Sequence, residues 1–134
     1  MAKQYRTRDG EATAADTKTQ LTTCGSETAP GPLLVPQGVS TLHSVIAAIA
    51  PDHAAAGAAS AIIRLEGPGL PAGPEVITIG GVGYNATTGG HTAMAAKEIK
   101  LGVPVTPGNE ILVFGEMCEA DIGSMHFEVT LVFA

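Results

Sequence analysis

The sequence predicts an all-β fold, an antiparallel sandwich of about seven or eight short strands. Glycine and proline occur 17 and 9 times in 134 residues, which favours many turns over long helices. Residues 125–133 alternate between apolar and polar side chains, the pattern of a strand with one buried face. Turn-forming clusters separate the apolar runs at spacings of about 8–12 residues, which fits a sandwich and also allows a barrel.

Seven apolar runs supply the expected strands. The last two, residues 110–119 and 125–133, are joined by a short turn-forming segment, so we expect them to form a C-terminal hairpin. The alanine-rich stretch 42–61 has helical character, but Pro51 and its β-branched residues favour a strand over 40–50. The other expected strands cover 33–36, 61–66, 75–84 and 98–105.

Glycine and proline also mark irregular places within these strands. The run Gly80-Gly81-Val82-Gly83 lacks the following helix or Lys-Ser/Thr ending of a phosphate-binding loop, so we expect a bulge or a close backbone approach there. Pro104 has no N–H to donate, which predicts a sheet edge or a bulge. A strong turn signal follows at 106–109. The large core side chains are expected to be Phe114, Phe127 and Phe133.

Composition changes sharply near Pro30. Up to residue 29 the chain carries four basic and four acidic residues, and its large apolar residues are only Tyr5 and Leu21. Such a segment cannot bury enough surface to offset the entropy lost on ordering. We therefore expect an extended polar N-terminal arm over 1–32, held by a neighbouring subunit, and a β-sandwich domain over 33–134.

Charge argues against nucleic acid as a partner. The chain has a net charge of −6, all of it in residues 33–134, which carry three basic and nine acidic residues, whereas phosphate contacts need clustered lysines and arginines. The apolar runs are too short for a membrane span or a secretory signal, so we expect no membrane partner and synthesis in the cytoplasm. Cys24 and Cys118 lack the spacing of a disulfide framework or a metal site.

The histidines and carboxylates do not form a recognisable metal motif. The four histidines contain no pair spaced so that one element presents two ligands; they are His43, His53, His91 and His126. Glu116, Glu119 and Asp121 cluster at an expected turn and are weak candidates for binding a hard cation such as Ca²⁺, or for paired-carboxylate acid–base chemistry. We favour a solvated acidic turn, and we expect no metal and no cofactor.

Motifs for covalent catalysis are also missing from the sequence. No serine lies in a G-x-S-x-G setting, and Cys24 has no partnered base nearby in the sequence. We therefore expect a protein that is not an enzyme.

The layout of the whole chain resembles single jelly-roll structural proteins of virus particles, including capsid and decoration subunits. The polar arm over 1–32 and the aromatic-poor, low-charge strands that end at 130–134 carry this resemblance. It implies a jelly-roll sandwich, an arm that exchanges contacts with neighbouring subunits, trimers or pentamers of the chain, and a place in the virion, with a major capsid protein as a further partner. The arm lacks the strongly basic character of genome-packaging arms, which favours an outer, decorating position.

Two other functions stay open. A carbohydrate-binding β-sandwich would use aromatic platforms for sugar rings, but the chain has two tyrosines and no tryptophan. A subunit of an extracellular filament would use the arm for strand pairing with the next subunit, and the missing secretion signal disfavours it. The low content of charged residues, 15%, favours assembly, because apolar surface left exposed marks protein interfaces.

Overall fold

The computed structural model describes residues 2–23, 33–52, 57–84, 96–118 and 124–134. They form ten strands and no helix, and every pairing between strands is antiparallel. The strands are β1 (Gln4–Ala12), β2 (Thr19–Gln20), β3 (Thr22–Thr23), β4 (Leu33–Leu34), β5 (Thr41–Asp52), β6 (Gly57–Glu66), β7 (Glu75–Tyr84), β8 (Lys97–Pro104), β9 (Glu110–Met117) and β10 (Ser124–Phe133). The prediction of an all-β fold with antiparallel sheets is confirmed.

The strands divide between two sheets. Sheet A has the order β3-β1-β10-β5-β8, and sheet B has the order β2-β9-β6-β7, with β4 also paired to β9. Seven of the described strands have eight or more residues, whereas β2, β3 and β4 have two each. Among the described residues there is no helix of the length and hydropathy that crossing a bilayer requires.

A single hydrophobic core contains residues from both sheets. Alternation along β10 buries five side chains, and alternation along β9 buries three; these are Met125, Phe127, Val129, Leu131 and Phe133, and Ile111, Val113 and Met117. Gly115 lies between Val113 and Met117 on the same face of β9. A Cβ atom at this position would come within 2.8 Å of the Phe127 ring. The ring therefore occupies the space that a side chain at position 115 would need.

Most of the expected elements lie where the sequence places them. The strands expected over 40–50, 75–84 and 98–105 correspond to β5, β7 and β8, so the helical alternative for 42–61 is wrong for its described residues. The pairing of β6 with β7 shifts register between Ala59 and Ala61, which confirms the bulge at Gly80-Gly81. Pro104 ends β8, the outermost strand of sheet A, as expected for proline.

The expected C-terminal hairpin of β9 and β10 is wrong. β9 pairs with β2, β4 and β6 in sheet B, and β10 pairs with β1 and β5 in sheet A. The two strands thus follow each other in sequence but belong to different sheets. Each carries an apolar face, and placing them in opposite sheets lets both faces share the core; the alternating pattern alone does not distinguish this arrangement from a hairpin.

The expectation that Phe114 is a large core side chain is also wrong. Phe127 and Phe133 are buried in the core, at 2% and 0% exposure, but Phe114 is only partly buried. Its neighbours Val113 and Gly115 face the core, so period-two alternation turns Phe114 to the outer face of sheet B. There the ammonium group of Lys18 lies 4.6 Å from the centroid of its ring.

The described part of the N-terminal segment is built into both sheets of its own chain. β1 pairs with β10 over nine residues, from Gln4 opposite Phe133 to Ala12 opposite Met125, and β2 pairs with β9. The segment supplies only Ala12 and Leu21 to the core. It needs few apolar side chains because its backbone N–H and C=O groups are satisfied by the ladder with β10.

Replacing Gly115 by alanine tests the packing between β9 and β10. The added methyl group meets the Phe127 ring, so we expect the free energy of unfolding to fall by about 1–3 kcal/mol, measured by urea denaturation. Phe127→Leu provides the matched background, because it makes room for the methyl group. The double variant should lose less than the sum of the two single losses; strict additivity would contradict the proposed contact.

Candidate functional site

An acidic concavity lies on the outer face of sheet A. Alternation along β1 and β10 places Asp9 and Glu11 on the same face as His126 and Glu128, and the register sets Asp9 opposite Glu128 and Glu11 opposite His126. The neighbouring strand β5 presents Ala48 and Ala50 opposite Glu128 and His126. Because alanine side chains are short, the surface is hollow there, with a volume of about 510 Å³.

The charges in this concavity are poorly balanced. His126 Nε2 lies 3.1 Å from Glu11 Oε2, and both side chains are well exposed. Asp9 and Glu128 are direct cross-strand partners, an arrangement of like charges that destabilises a sheet. No lysine or arginine lines the concavity. The site is therefore suited to groups that donate hydrogen bonds or carry positive charge.

The acidic groups do not come together as a metal centre. Within the described parts of the chain, no group of three or more histidine, cysteine, aspartate or glutamate side chains is arranged to hold a metal ion. Carboxylates spread along the two strands β1 and β10 offer hydrogen-bond acceptors instead of a closed coordination shell.

A second cluster of charges lies on the outer face of sheet B. Arg64 on β6 and Glu116 on β9 form an ion pair with an Nη2–Oε2 distance of 3.3 Å, and the Glu116 side chain is only 10% exposed. The Nε atom of Arg64 is buried and has no hydrogen-bond partner. Farther along the same face, Lys18 Nζ donates to Glu66 Oε1 at 2.9 Å. Lys18 thereby ties the segment before β2 to the outer face of sheet B.

These positions correct the expected acidic turn. Glu116 is 7% exposed and paired with Arg64, so it is not part of a solvated turn. The sequence could not reveal this because Arg64 lies 52 positions away. Glu119 and Asp121, the other two candidates, lie outside the described residues.

The histidines and cysteines fall in separate places. His43 on β5 is partly buried, and its Nδ1 lies 3.2 Å from the hydroxyl of Ser44, which itself donates to Glu98 at 2.9 Å. His126 belongs to the acidic concavity. Cys118 follows β9 as a free, partly buried thiol. His53, His91 and Cys24 lie outside the described residues.

Sequence reasoning missed the acidic concavity. Its local signal was present, since Asp9 and Glu11 are spaced by two, as are His126 and Glu128. What was lacking was the pairing of β1 with β10, which joins residues near the two ends of the printed sequence. The expectation of a separate arm kept the pair Asp9 and Glu11 apart from the pair His126 and Glu128.

Comparison of the chain with protein-family models, with curated proteins and with solved structures finds no match. Function therefore has to be inferred from the residues and the strand arrangement.

The buried ion pair should matter more than the exposed one. Glu116→Gln leaves Arg64 without its partner in a partly buried place, so we expect a loss of about 1–3 kcal/mol in the free energy of unfolding. Glu66→Gln makes the same chemical change at the exposed Lys18 pair and should cost less than about 1 kcal/mol. Urea denaturation of both variants measures the difference, and equal losses would refute the ranking.

The acidic concavity should carry electrostatic strain. Glu128→Gln relieves the repulsion with Asp9, so we expect the free energy of unfolding to rise by about 0.2–1 kcal/mol at neutral pH and low salt. Glu11→Gln is the matched change at the neighbouring cross-strand pair on the same face. It removes the partner of His126, so the free energy of unfolding should not rise. Molar salt should shrink the difference because it screens exposed charges. A gain from Glu11→Gln and none from Glu128→Gln would contradict this account.

Proposed function

We propose that the two sheets form a jelly-roll sandwich and that this chain is a structural subunit that assembles with copies of itself into a protein shell. The proposed shell is a virus particle, in which the chain is a minor capsid or decoration protein. In this proposal the chain has a structural and not a catalytic task.

The nesting of the strand pairs is the observation that carries the proposal. β1 pairs with β10, β2 and β4 pair with β9, β5 pairs with β8, and β6 pairs with β7. Apart from the short β3, which pairs with β1, the described strands thus follow the order of one long antiparallel hairpin that turns between β6 and β7. Two further pairings, of β10 with β5 and of β6 with β9, roll this hairpin into two sheets. This nesting supports the proposed jelly roll, a fold that is found in viral capsid and lectin domains.

Surface composition favours assembly among the uses of this fold. Among the residues whose exposure the structure describes, three large apolar side chains are more than half exposed, Tyr5 at 55%, Leu34 at 56% and Val76 at 54%. They come from β1, β4 and β7, so the exposed apolar groups are spread over several sides of the domain. A shell subunit needs contacts on several sides, and closed symmetric assemblies of identical chains are the common way to cover such groups.

In such a shell the chain would have two kinds of partner and a defined location. The partners are copies of the same chain, in trimers or pentamers, together with a major capsid protein. The place is the outer part of a virion whose subunits are made in the host cytoplasm. The acidic outer face of sheet A supports an outer position, because it would repel the phosphates of a packaged genome.

Binding of a carbohydrate is the second candidate, and the acidic concavity is the observation that favours it. Carboxylates on a hollow sheet face accept hydrogen bonds from sugar hydroxyls. Among the described lining residues Phe127 is buried in the core, and the exposed ring is the imidazole of His126, so these residues offer a sugar no exposed phenylalanine, tyrosine or tryptophan ring for stacking. Binding of the purified chain to a glycan array would favour this candidate over the shell subunit.

The state of assembly tests the first proposal directly. We expect the full chain at micromolar concentration to sediment as a homo-oligomer, with closed particles or rings visible by negative-stain electron microscopy. A chain that sediments as a monomer throughout the micromolar range would refute the proposal.

Disulfide trapping tests the expected exchange of N-terminal segments between subunits. Thr7 and Thr130 are direct partners in the pairing of β1 with β10, with their Oγ1 atoms 2.9 Å apart, and directly opposed residues suit a disulfide. Thr7→Cys and Thr130→Cys would be placed in separate chains that also carry Cys24→Ser and Cys118→Ser, and the two chains would be refolded together and oxidised. A disulfide between the two chains supports exchange. Its absence from an intact oligomer would refute exchange and leave assembly standing.

A further inference from the structure

The two long outer strands of the described sheets differ in how well they are protected. β8, at one edge of sheet A, carries exposed Lys97, Glu98 and Lys100, and it ends at Pro104. Charged residues and proline at an edge are the usual means by which proteins prevent pairing with another chain. β7, at one edge of sheet B, has no charged residue or proline between residues 76 and 84. Its edge therefore lacks these protections.

The free edge of β7 offers backbone groups for a further strand. β7 pairs with β6 on one side, and none of the described residues pairs with its other side. Ile77 and Ile79 face the core at 5% and 3% exposure, while Val76 is 54% exposed and Thr78 is exposed as well. The segment is thus an ordinary half-buried strand with one edge that the described residues leave unpaired, and a strand is the chemical complement of such an edge.

We propose that this edge is a two-fold contact between two copies of the chain, in which residues 75–79 of each copy pair antiparallel about Ile77. This inference rests on the proposed function as a self-assembling subunit and names one of its contacts. Sheet B of one copy then continues into sheet B of the next.

The limits of the segment favour this register. Pro74 lies immediately before it, and the bulge at Gly80-Gly81 lies immediately after it. Pairing about Ile77 sets Pro74 opposite Gly80, so both interruptions fall just outside the ladder. All five residues between them are paired, and the exposed Val76 packs against Thr78 of the other copy.

Charge is compatible with a second copy as the occupant in this register. Two chains with a net charge of −6 each repel one another wherever their carboxylates meet. In this register Glu75, the one charged residue of the segment, lies opposite Ile79 and not opposite another carboxylate. The contact is also isologous, because each copy presents the same segment to the other, and it closes on itself as a two-fold axis requires. It is separate from any three- or fivefold contact made by other surfaces.

Two double variants of the full chain test the register. Val76→Lys with Thr78→Lys places lysine opposite lysine twice across the axis, whereas Val76→Lys with Thr78→Glu places lysine opposite glutamate twice. Both change the same two exposed positions. We expect the Lys/Lys variant to associate at least about tenfold more weakly than the original chain, and the Lys/Glu variant to retain association that becomes weaker as salt is added. Sedimentation velocity over a concentration series measures association, and thermal unfolding verifies that both variants fold.

The outcomes separate this contact from the wider proposal. If the original chain is monomeric, the proposed function fails first and the contact fails with it. If the original chain assembles and the Lys/Lys variant assembles equally well, the contact at β7 is refuted and the proposed function stands. If both variants lose association to the same extent, pairing about Ile77 is refuted, because the sign of the charge across the axis then has no effect. Selective loss in the Lys/Lys variant alone supports the contact.

Discussion

The pairing of β10 on both of its edges is the constraint on which the rest of the structure depends. Residues 125–133 of β10 form backbone hydrogen bonds with β1 on one side and with β5 on the other. The inward-facing side chains of β10 are part of the core. Without β10, β1 would be paired in sheet A only with the two-residue strand β3. The place of β1 in sheet A therefore depends on β10. The Phe127 ring then limits how sheet B approaches, since it lies against the backbone of Gly115. One strand thus sets both the composition of its sheet and the contact between the sheets.

Features that depend on neighbouring residues could be predicted from the sequence, and features that depend on distant residues could not. The strands of β5, β7, β8 and β10, the bulge at Gly80-Gly81 and the edge position of Pro104 follow from alternation and backbone chemistry within a few residues. The separation of β9 from β10 into two sheets, the outward turn of Phe114 and the partnership of Arg64 with Glu116 need the register between strands. The acidic concavity needs it too, since two of its three carboxylates, Asp9 and Glu11, come from a segment whose composition favours an unattached arm.

The described surfaces divide the charges of the domain unevenly. Carboxylates gather on the outer face of sheet A, and the ion pair of Arg64 and Glu116 lies on sheet B beside two apolar residues, the partly buried Phe114 and the exposed Val76. For an acidic chain that meets copies of itself, repulsion keeps the first face away from its equivalent, and the neutral parts of the second are where close approach costs least. In the proposed assembly this distribution of charge would turn sheet B, and not the acidic face of sheet A, towards a neighbouring copy.

The nesting of strands has a consequence for how the chain folds. The pair of β6 and β7 is local, but each pair outside it encloses a longer loop, and the outermost ladder joins Gln4 to Phe133. Closing a large loop costs conformational entropy before the stabilising contacts between its ends have formed. Folding is therefore slow. During that interval the edge of β10 is open to any strand of matching sequence, and the effective concentration of its own β1 competes with the real concentration of other copies. Refolding from dilute solution therefore favours pairing within one chain, and crowded refolding favours exchange between chains.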